Sequence, residues 1–406
     1  MPTSQPVIRA IETARVPPRW GLSRILLSDG SAGYGEFTVE GQLGPAEASL
    51  HDMRDAFIGK TCDEAMRLIE GVHDITFYHD GPHFQSARAG IEIALWDLRG
   101  KLAGKPIYDL LRCRTRDYVK VYQWAGGNEP SPEKAAEEAA AVVKRGLRAI
   151  KLNACLPTSA LDFDGRIRAA VEVAQAIRNK VGPGVEIGFD FHGRCKVNSA
   201  TELARALQVV GPKFYEEAVR PELNRQLGIV RAAAPGVIFA TGERMYHPEN
   251  FLDPGVRDNI GLFQPDLVHI GGISRTWAVA QIAEYDGKAI APHCPLSPVA
   301  FAACHQVAVA SKAGCILESS QGIHYNEHLR GAGAIDPWLR FIPEPQRAQF
   351  AIINDGEFTG HMHVLTGPGL GVDLDWDEVR RAEQEEKQKP WKDMQMQLPD
   401  GQFCDW

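Results

Sequence analysis

The sequence predicts an α/β protein, a closed parallel barrel of strand–helix units preceded by a smaller α+β unit. Three observations predict it. From Val119 onward, short apolar runs alternate with helical patterns eight times; ionisable residues recur at the ends of six successive runs; and before Val119 hairpin signals and helices mix irregularly. Strand and helix in alternation favour a parallel sheet with right-handed crossovers, and eight such units point to a (β/α)8-type barrel.

Candidate strands lie near 119–124, 148–152, 185–190, 213–216, 237–241, 263–268, 288–291 and 315–318. Helical stretches such as Pro132 to Arg145, Asp164 to Asn179 and Thr201 to Val210 fall between them. Ahead of the barrel, Ile25-Leu26-Leu27-Ser28-Asp29-Gly30 offers a hairpin turn at its Asp-Gly pair. The same unit ends in an amphipathic helix from Ser86 to Leu102, with Ala89, Ile93, Leu95, Trp96 and Leu98 at helical spacing, stopped by Gly104-Lys105-Pro106. Beyond Arg330 the rhythm gives way to Pro- and Gly-rich segments and a charged helix from Asp375 to Lys387, whose charges read as a solvated face.

With 406 residues, 44% hydrophobic and 24% charged, the chain is long and apolar enough for a barrel with additions. A net charge of -8 argues against a nucleic-acid surface. The eight cysteines are scattered without a Cys-x-x-Cys pair, so a reduced cytoplasmic location is expected. Met1-Pro2-Thr3-Ser4-Gln5-Pro6 lacks the basic start and apolar core of a signal peptide. The most apolar segment, Pro298 to Ala310, is broken by His305 and Gln306, so no membrane span is expected.

The chemistry is concentrated at strand ends. Asp190, Glu216, Glu243, Asp266, His293 and Glu318 follow one another at gaps of 26, 27, 23, 27 and 25 residues, about one unit each, and would converge on one mouth of a barrel. Asp190, Glu216 and Glu243 would repel one another unless a cation held them, and three hard oxygen donors suit Mg2+. Glu217 should then point away from the mouth or support it from behind. Asp266 would fix one nitrogen of the His293 imidazole, leaving the other to take a proton. If Val185 to Phe189 is a strand, Asp190 and His192 lie two residues apart on one face. Together these parts suit proton abstraction next to a carboxylate, where Mg2+ stabilises the enediolate's two negative charges. A protonated His192 could then donate to a departing β-hydroxyl, which makes the reaction a dehydration.

Several stretches carry a resemblance: Ala94-Leu95-Trp96-Asp97-Leu98-Arg99-Gly100-Lys101, Asp190-Phe191-His192-Gly193-Arg194, Thr241-Gly242-Glu243-Arg244-Met245, Gln264-Pro265-Asp266-Leu267, Ala291-Pro292-His293-Cys294-Pro295-Leu296, Gly322-Ile323-His324-Tyr325-Asn326 and the final Cys404-Asp405-Trp406. By them the whole chain resembles the enolase superfamily, mandelate racemase subgroup, and within it the D-galactonate dehydratases. The resemblance implies a modified TIM barrel, (β/α)7β, over residues 119–330. An α+β capping domain formed by the N-terminal region, 1–118, and the C-terminal tail, 331–406, would lie over it. It implies Mg2+ on Asp190, Glu216 and Glu243, a general base at His293 with Asp266, an acid at His192, and Glu318 near the enediolate oxygens in protonated form. Arg19-Trp20 and Phe77-Tyr78-His79-Asp80-Gly81-Pro82 match segments that close over substrate.

The activity so implied converts an aldonic acid, D-galactonate foremost, to 2-dehydro-3-deoxy-D-galactonate, in a cytoplasmic homo-oligomer with no nucleic-acid or membrane partner. The alternatives are the same dehydration of gluconate, arabinonate or fuconate, and a non-catalytic sugar-acid binder of the same fold. Three departures stand out. Asn153 in Lys151-Leu152-Asn153 occupies the second lysine position of the subgroup's Lys-x-Lys, which removes a two-base racemase; Ala218 stands where a proline is usual; and Arg112-Cys113-Arg114 replaces a Gly-Gly turn.

Overall fold

The N-terminal unit opens as an antiparallel meander of β1 (Ile8–Val16), β2 (Trp20–Leu27) and β3 (Ala32–Glu36), with the expected Asp29-Gly30 turn between the last two. The computed structural model describes residues 5–125, 131–159, 161, 163–322, 336–388, 395–398 and 400–404. The stretch Ile323 to Asn326 and the terminal Asp405-Trp406 therefore lie outside the described residues. After the meander come α1 (Leu43–Arg54), α2 (Cys62–Glu70), α3 (Val72–Ile75), α4 (Pro82–Ala103) and α5 (Ile107–Leu111). A reciprocal pair of hydrogen bonds between Thr61 and Glu64 caps α2. Helix α4 starts four residues before the expected Ser86, because Pro82 occupies its first turn, where its missing N–H costs nothing; left-handed Gly104 ends it. Gly33 and Gly35 let β3 lie directly on α4, where a methyl group on either would overlap the α4 backbone.

The eight strands expected from the sequence are found, with seven α-helices between them among the described residues. The order is β4 (Tyr118–Trp124), α6 (Pro132–Lys144), β5 (Ala149–Asn153), α7 (Asp164–Val181), β6 (Glu186–Asp190), α8 (Val197–Ala206), β7 (Phe214–Glu216), α9 (Leu227–Ala232) and β8 (Ile238–Thr241). Then follow α10 (Pro254–Arg257), β9 (Leu262–Phe263), α11 (Ile273–Tyr285), β10 (Ala289–Ile290), α12 (Pro298–Ala310) and β11 (Gly314–Ser319). Every neighbouring pair is parallel, and β11 pairs with β4 from Ile316↔Lys120 to Ser319↔Gln123, which closes the barrel. The architecture is thus (β/α)7β, not the full (β/α)8 that strand counting alone suggests.

Strand β9 is shorter than the expected 263–268. Pro265 has no N–H to continue the ladder, and Asp266 Oδ1 turns the chain by accepting from Val268 and His269 N–H at 2.8 and 2.9 Å. Under the mouth, Tyr122, Ala149, Phe214, Ala240, Leu262 and Ala291 fill the interior, large beside small.

The C-terminal segment adds α13 (Glu344–Arg347), β12 (His361–His363), α14 (Trp376–Gln388), β13 (Met396–Gln397) and β14 (Phe403–Cys404). Strand β12 pairs antiparallel with β4, and α14 returns to the N-terminal meander. There Trp376 stacks on Tyr34 at 6.3 Å, and Arg380 donates to the Thr13 carbonyl at 2.8 Å. Its charges are not merely solvated, since Glu378 and Glu385 both bind Arg340.

The cap so formed is fastened to the barrel by two buried carboxylates. Glu36 accepts from Ser297 and Ala300 N–H at the start of α12, and Glu92 accepts from Ile273 and Ser274 N–H at the start of α11. Both use the positive end of a helix. Among the described residues no helix is long and apolar enough to cross a membrane, and no disulfide joins the cysteines.

Candidate active site

Strands β6, β7 and β8 end side by side, and Asp190 and Glu216 are direct partners in the parallel register. Glu243 lies two residues beyond the end of β8. All three carboxylates are buried. Lys151 of β5 joins two of them to Glu318, with Nζ 2.9 Å from Glu216 Oε1, 2.9 Å from Glu318 Oε1 and 3.7 Å from Asp190 Oδ2. Gln264 donates to the other Glu216 oxygen at 2.6 Å. Burial pushes the Glu216 carboxyl up to about 8; Lys151 opposes the rise, and the Asp190, Glu318 and Glu243 carboxylates add to it.

Among the described residues the three carboxylates do not close around one point. Each takes the donor beside it: Glu216 faces Lys151 and Gln264, Glu243 faces His293, and Asp190 Oδ1 accepts from the His192 N–H at 2.7 Å. The chemistry of the set nonetheless fits a hard divalent cation. Asp190, Glu216, Glu217, Glu243, Asp266 and Glu318 are all buried at this mouth, against the permanent charges of Lys151, Arg194 and Arg244, and repulsion from neighbouring carboxylates adds to burial in raising Glu216 and Glu217. Such an excess of buried negative charge is stabilised by a cation with oxygen ligands.

On the other side of the mouth the expected dyad is assembled. Asp266, fully buried, has Oδ2 2.9 Å from His293 Nδ1, while His293 Nε2 lies 3.0 Å from Glu243 Oε2. Burial alone would depress the His293 imidazole, but the Glu243 charge and the Asp266 hydrogen bond outweigh it and hold the group well above the ordinary histidine range. Glu243 is the larger of the two, so a cation on that carboxylate would return His293 toward the range in which it accepts a proton near neutrality. Glu318 accepts from Lys151 and from the Cys294 N–H at 3.1 Å. Burial raises its carboxyl, yet Lys151 and His293 bring it below the usual value. Both of its donors favour the carboxylate, whereas the resemblance implies a protonated Glu318.

His192 reaches the mouth by a different route from the one its spacing suggests. Strand β6 ends at Asp190, and His192 has φ +53°, so the two do not share a strand face. Instead Phe191 to Arg194 forms a tight turn closed by Arg194 N–H to the Phe191 carbonyl at 3.0 Å, with His192 and Gly193 both left-handed. The turn leaves His192 Nε2 3.9 Å from Glu243 Oε1. Glu217 supports the mouth from behind, as expected, through a two-pronged pair with Arg244.

Several participants were not singled out from sequence. The sequence marks Lys151 only through its neighbour Asn153 and carries no sign of the three acids it bridges. His269, pushed up to about 9 because Asp266 and Glu40 outweigh its burial, links Asp266 at 3.6 Å to Glu40 of the cap at 3.5 Å. Arg19 stands 3.7 Å from the same Glu40, which brings the expected Arg19-Trp20 segment to the His293 side of the mouth. Asp80 of the other expected cap loop reaches His247 of the barrel at 2.8 Å.

Residues 2–112 match the family model described as the mandelate racemase / muconate lactonizing enzyme N-terminal domain, and residues 134–379 match the enolase C-terminal domain-like model. The chain is 35% identical over 402 residues to a D-galactonate dehydratase of Variovorax paradoxus (strain S110), and 34% identical over 406 residues to one of Pectobacterium atrosepticum; each alignment spans 98% of this chain and all of the relative. A crystal structure of an enolase from Agrobacterium radiobacter, with sodium and L-malate bound, superposes with a TM-score of 0.83 at 25% identity, over 98% of this chain and all of that one. With both halves matched by its domain models and full-length relatives above 30% identity, the chain belongs to the mandelate racemase / muconate lactonizing enzyme family of the enolase superfamily.

Proposed function

We propose that this chain, a hydro-lyase, dehydrates a sugar acid, with D-galactonate as the substrate and 2-dehydro-3-deoxy-D-galactonate as the product. One observation carries the reading: two imidazoles flank a single carboxylate, His293 Nε2 at 3.0 Å from Glu243 Oε2 and His192 Nε2 at 3.9 Å from Glu243 Oε1. A substrate placed there meets a base on one side and an acid on the other. The full-length likeness to D-galactonate dehydratases supports the choice of substrate.

In this reading Asp190, Glu216 and Glu243 hold Mg2+, which when bound supplies positive charge for the substrate's carboxylate oxygens. His293 Nε2 takes the C2 proton while Asp266 keeps Nδ1 protonated and the ring oriented. His192 Nε2 gives its proton to the 3-hydroxyl, which leaves as water, and the enol so formed ketonises. Lys151 and Glu318 form the charged floor of the site. Residues 1–118 and 331–406 form the cap and 119–330 the catalytic barrel of a cytoplasmic homo-oligomer.

The test is a panel of aldonic acids, including D-galactonate, gluconate, arabinonate and fuconate, incubated with the protein and Mg2+ and assayed for 2-keto acid. D-galactonate should turn over with the highest kcat/KM. A higher value for another acid would move the substrate, because loops on a fixed barrel read the hydroxyls beyond C3. Silence across the panel would sink the dehydratase reading and leave the non-catalytic binder.

A further inference from the structure

His192 at φ +53° and Glu217 at φ +39° are the non-glycine residues with left-handed backbone among those described. Side chains beyond glycine seldom adopt this conformation, and it persists where the surroundings over-determine it. The two are linked through the residues on either side of His192. Gly193 N–H donates to the Glu217 carbonyl at 3.0 Å, and Phe191 N–H donates to the Glu216 carbonyl at 2.9 Å, so the turn that carries His192 hangs from the end of β7.

Arg244 holds both pieces. Its Nε lies 2.9 Å from Glu217 Oε1 and its Nη2 2.7 Å from Glu217 Oε2, a planar fork on a carboxylate that is itself buried. The same guanidinium covers Gly193 so closely that a methyl group there would overlap it, and Arg220 packs against that glycine as well. One side chain therefore grips the residue whose carbonyl anchors the turn and closes over the turn itself.

We infer that Arg244 and Glu217 are positioning residues for His192: together they fix the left-handed turn that aims its imidazole at the mouth. The inference rests on the reading of His192 as the acid that protonates the leaving hydroxyl. The hold on the turn assigns the pair to the second half of the reaction, after the C2 proton has gone. Arg244 Nε also stands 3.9 Å from Glu243 Oε1, the carboxylate beside His293, and Glu217→Gln, which leaves that guanidinium in place, isolates the effect on the turn.

The experiment compares two rates in D2O with Mg2+ and D-galactonate: loss of the C2 hydrogen signal in recovered substrate, and formation of 2-keto acid. The variants are His192→Asn, Arg244→Lys, Arg244→Met, Glu217→Gln and the unaltered chain. Displacement of a reacting group by about 1 Å costs roughly 100-fold. Dehydration is therefore expected to fall by about that factor in Arg244→Met and Glu217→Gln, with exchange held within about threefold in Glu217→Gln and Arg244→Lys, which keep a positive charge beside Glu243. Arg244→Lys, which keeps the charge but not the fork, should not restore dehydration; it also serves as the milder replacement should Arg244→Met fail to fold. Exchange and dehydration falling in parallel in Glu217→Gln and Arg244→Lys, or dehydration unchanged, would overturn the inference. If His192→Asn separates the two rates and the Arg244 and Glu217 variants do not, this inference alone fails. If His192→Asn dehydrates normally, the acid assignment fails and takes this inference with it.

Discussion

His293 and His192 stand on opposite sides of the Glu243 carboxylate, yet the chain holds them by different means. His293 is fixed by charge: Asp266 grips one nitrogen, and Asp266 is itself held by two backbone N–H groups beyond Pro265. His192 is fixed by backbone shape, in a turn of two left-handed residues whose N–H also steadies Asp190. The difference suits the two tasks. A base gains from a carboxylate that raises its affinity for a proton, whereas an acid that must give its proton away gains more from accurate placement than from added negative charge. His305, in α12, completes the comparison as an imidazole with neither support: burial lowers it to about 3, against a smaller opposing influence of the His363 backbone.

The largest effect is expected from His293→Gln. Both C2 exchange and dehydration should drop by roughly 10³–10⁴-fold, the upper range for loss of a positioned base, as measured by proton NMR and keto-acid formation. Persistent exchange in that variant would mean that the C2 proton is taken elsewhere. His192→Asn should lose dehydration by about 10²–10³-fold while exchange continues, so parallel loss of both rates would erase the contrast drawn between the two sides.

The smallest effect concerns stability. The folded-state pKa of His305 lies below the ordinary value of 6.5. Its neutral form thus contributes stability that is complete above about 6.5 and is lost as the pH falls toward 3. Between pH 7 and pH 5 this amounts to about 2 kcal/mol. Denaturant unfolding of His305→Leu should show a pH dependence over that interval weaker by about this amount; an unchanged slope would show that the buried imidazole is not the group being protonated.

Much of the barrel was legible because apolar runs and their polar ends are local properties of the chain. Asp190, Glu216, Glu243, Asp266, His293 and Glu318 could be picked out one strand at a time, and the structure brings them to one mouth. The route of His192 was not legible in this way. Phe189 and Phe191 continue an alternating pattern past the end of β6, and only Gly193 hinted at a turn. The short β9 did carry its signal, since Pro265 cannot extend a ladder. The charge state of Glu318 and the grip of Arg244 on Glu217 depend on partners from other strands, and no spacing along the chain encodes them. Arg244 had one clue, its place next to Glu243, which guarantees proximity to the mouth but not a direction.

The carboxylates of Glu36 and Glu92 set a rule for anyone wishing to exchange the cap. Each occupies the start of a barrel helix, α12 or α11, and answers amide donors there beyond the Val299 N–H that Ser297 itself caps; each interaction is worth on the order of 1–2 kcal/mol when sheltered from water. The surface on which the cap rests is thus written partly in the barrel's own helix beginnings. A transplanted cap without acids at both positions would leave two sets of amide donors buried and unanswered, so substrate range can be redesigned in the loops far more readily than by grafting the domain that carries them.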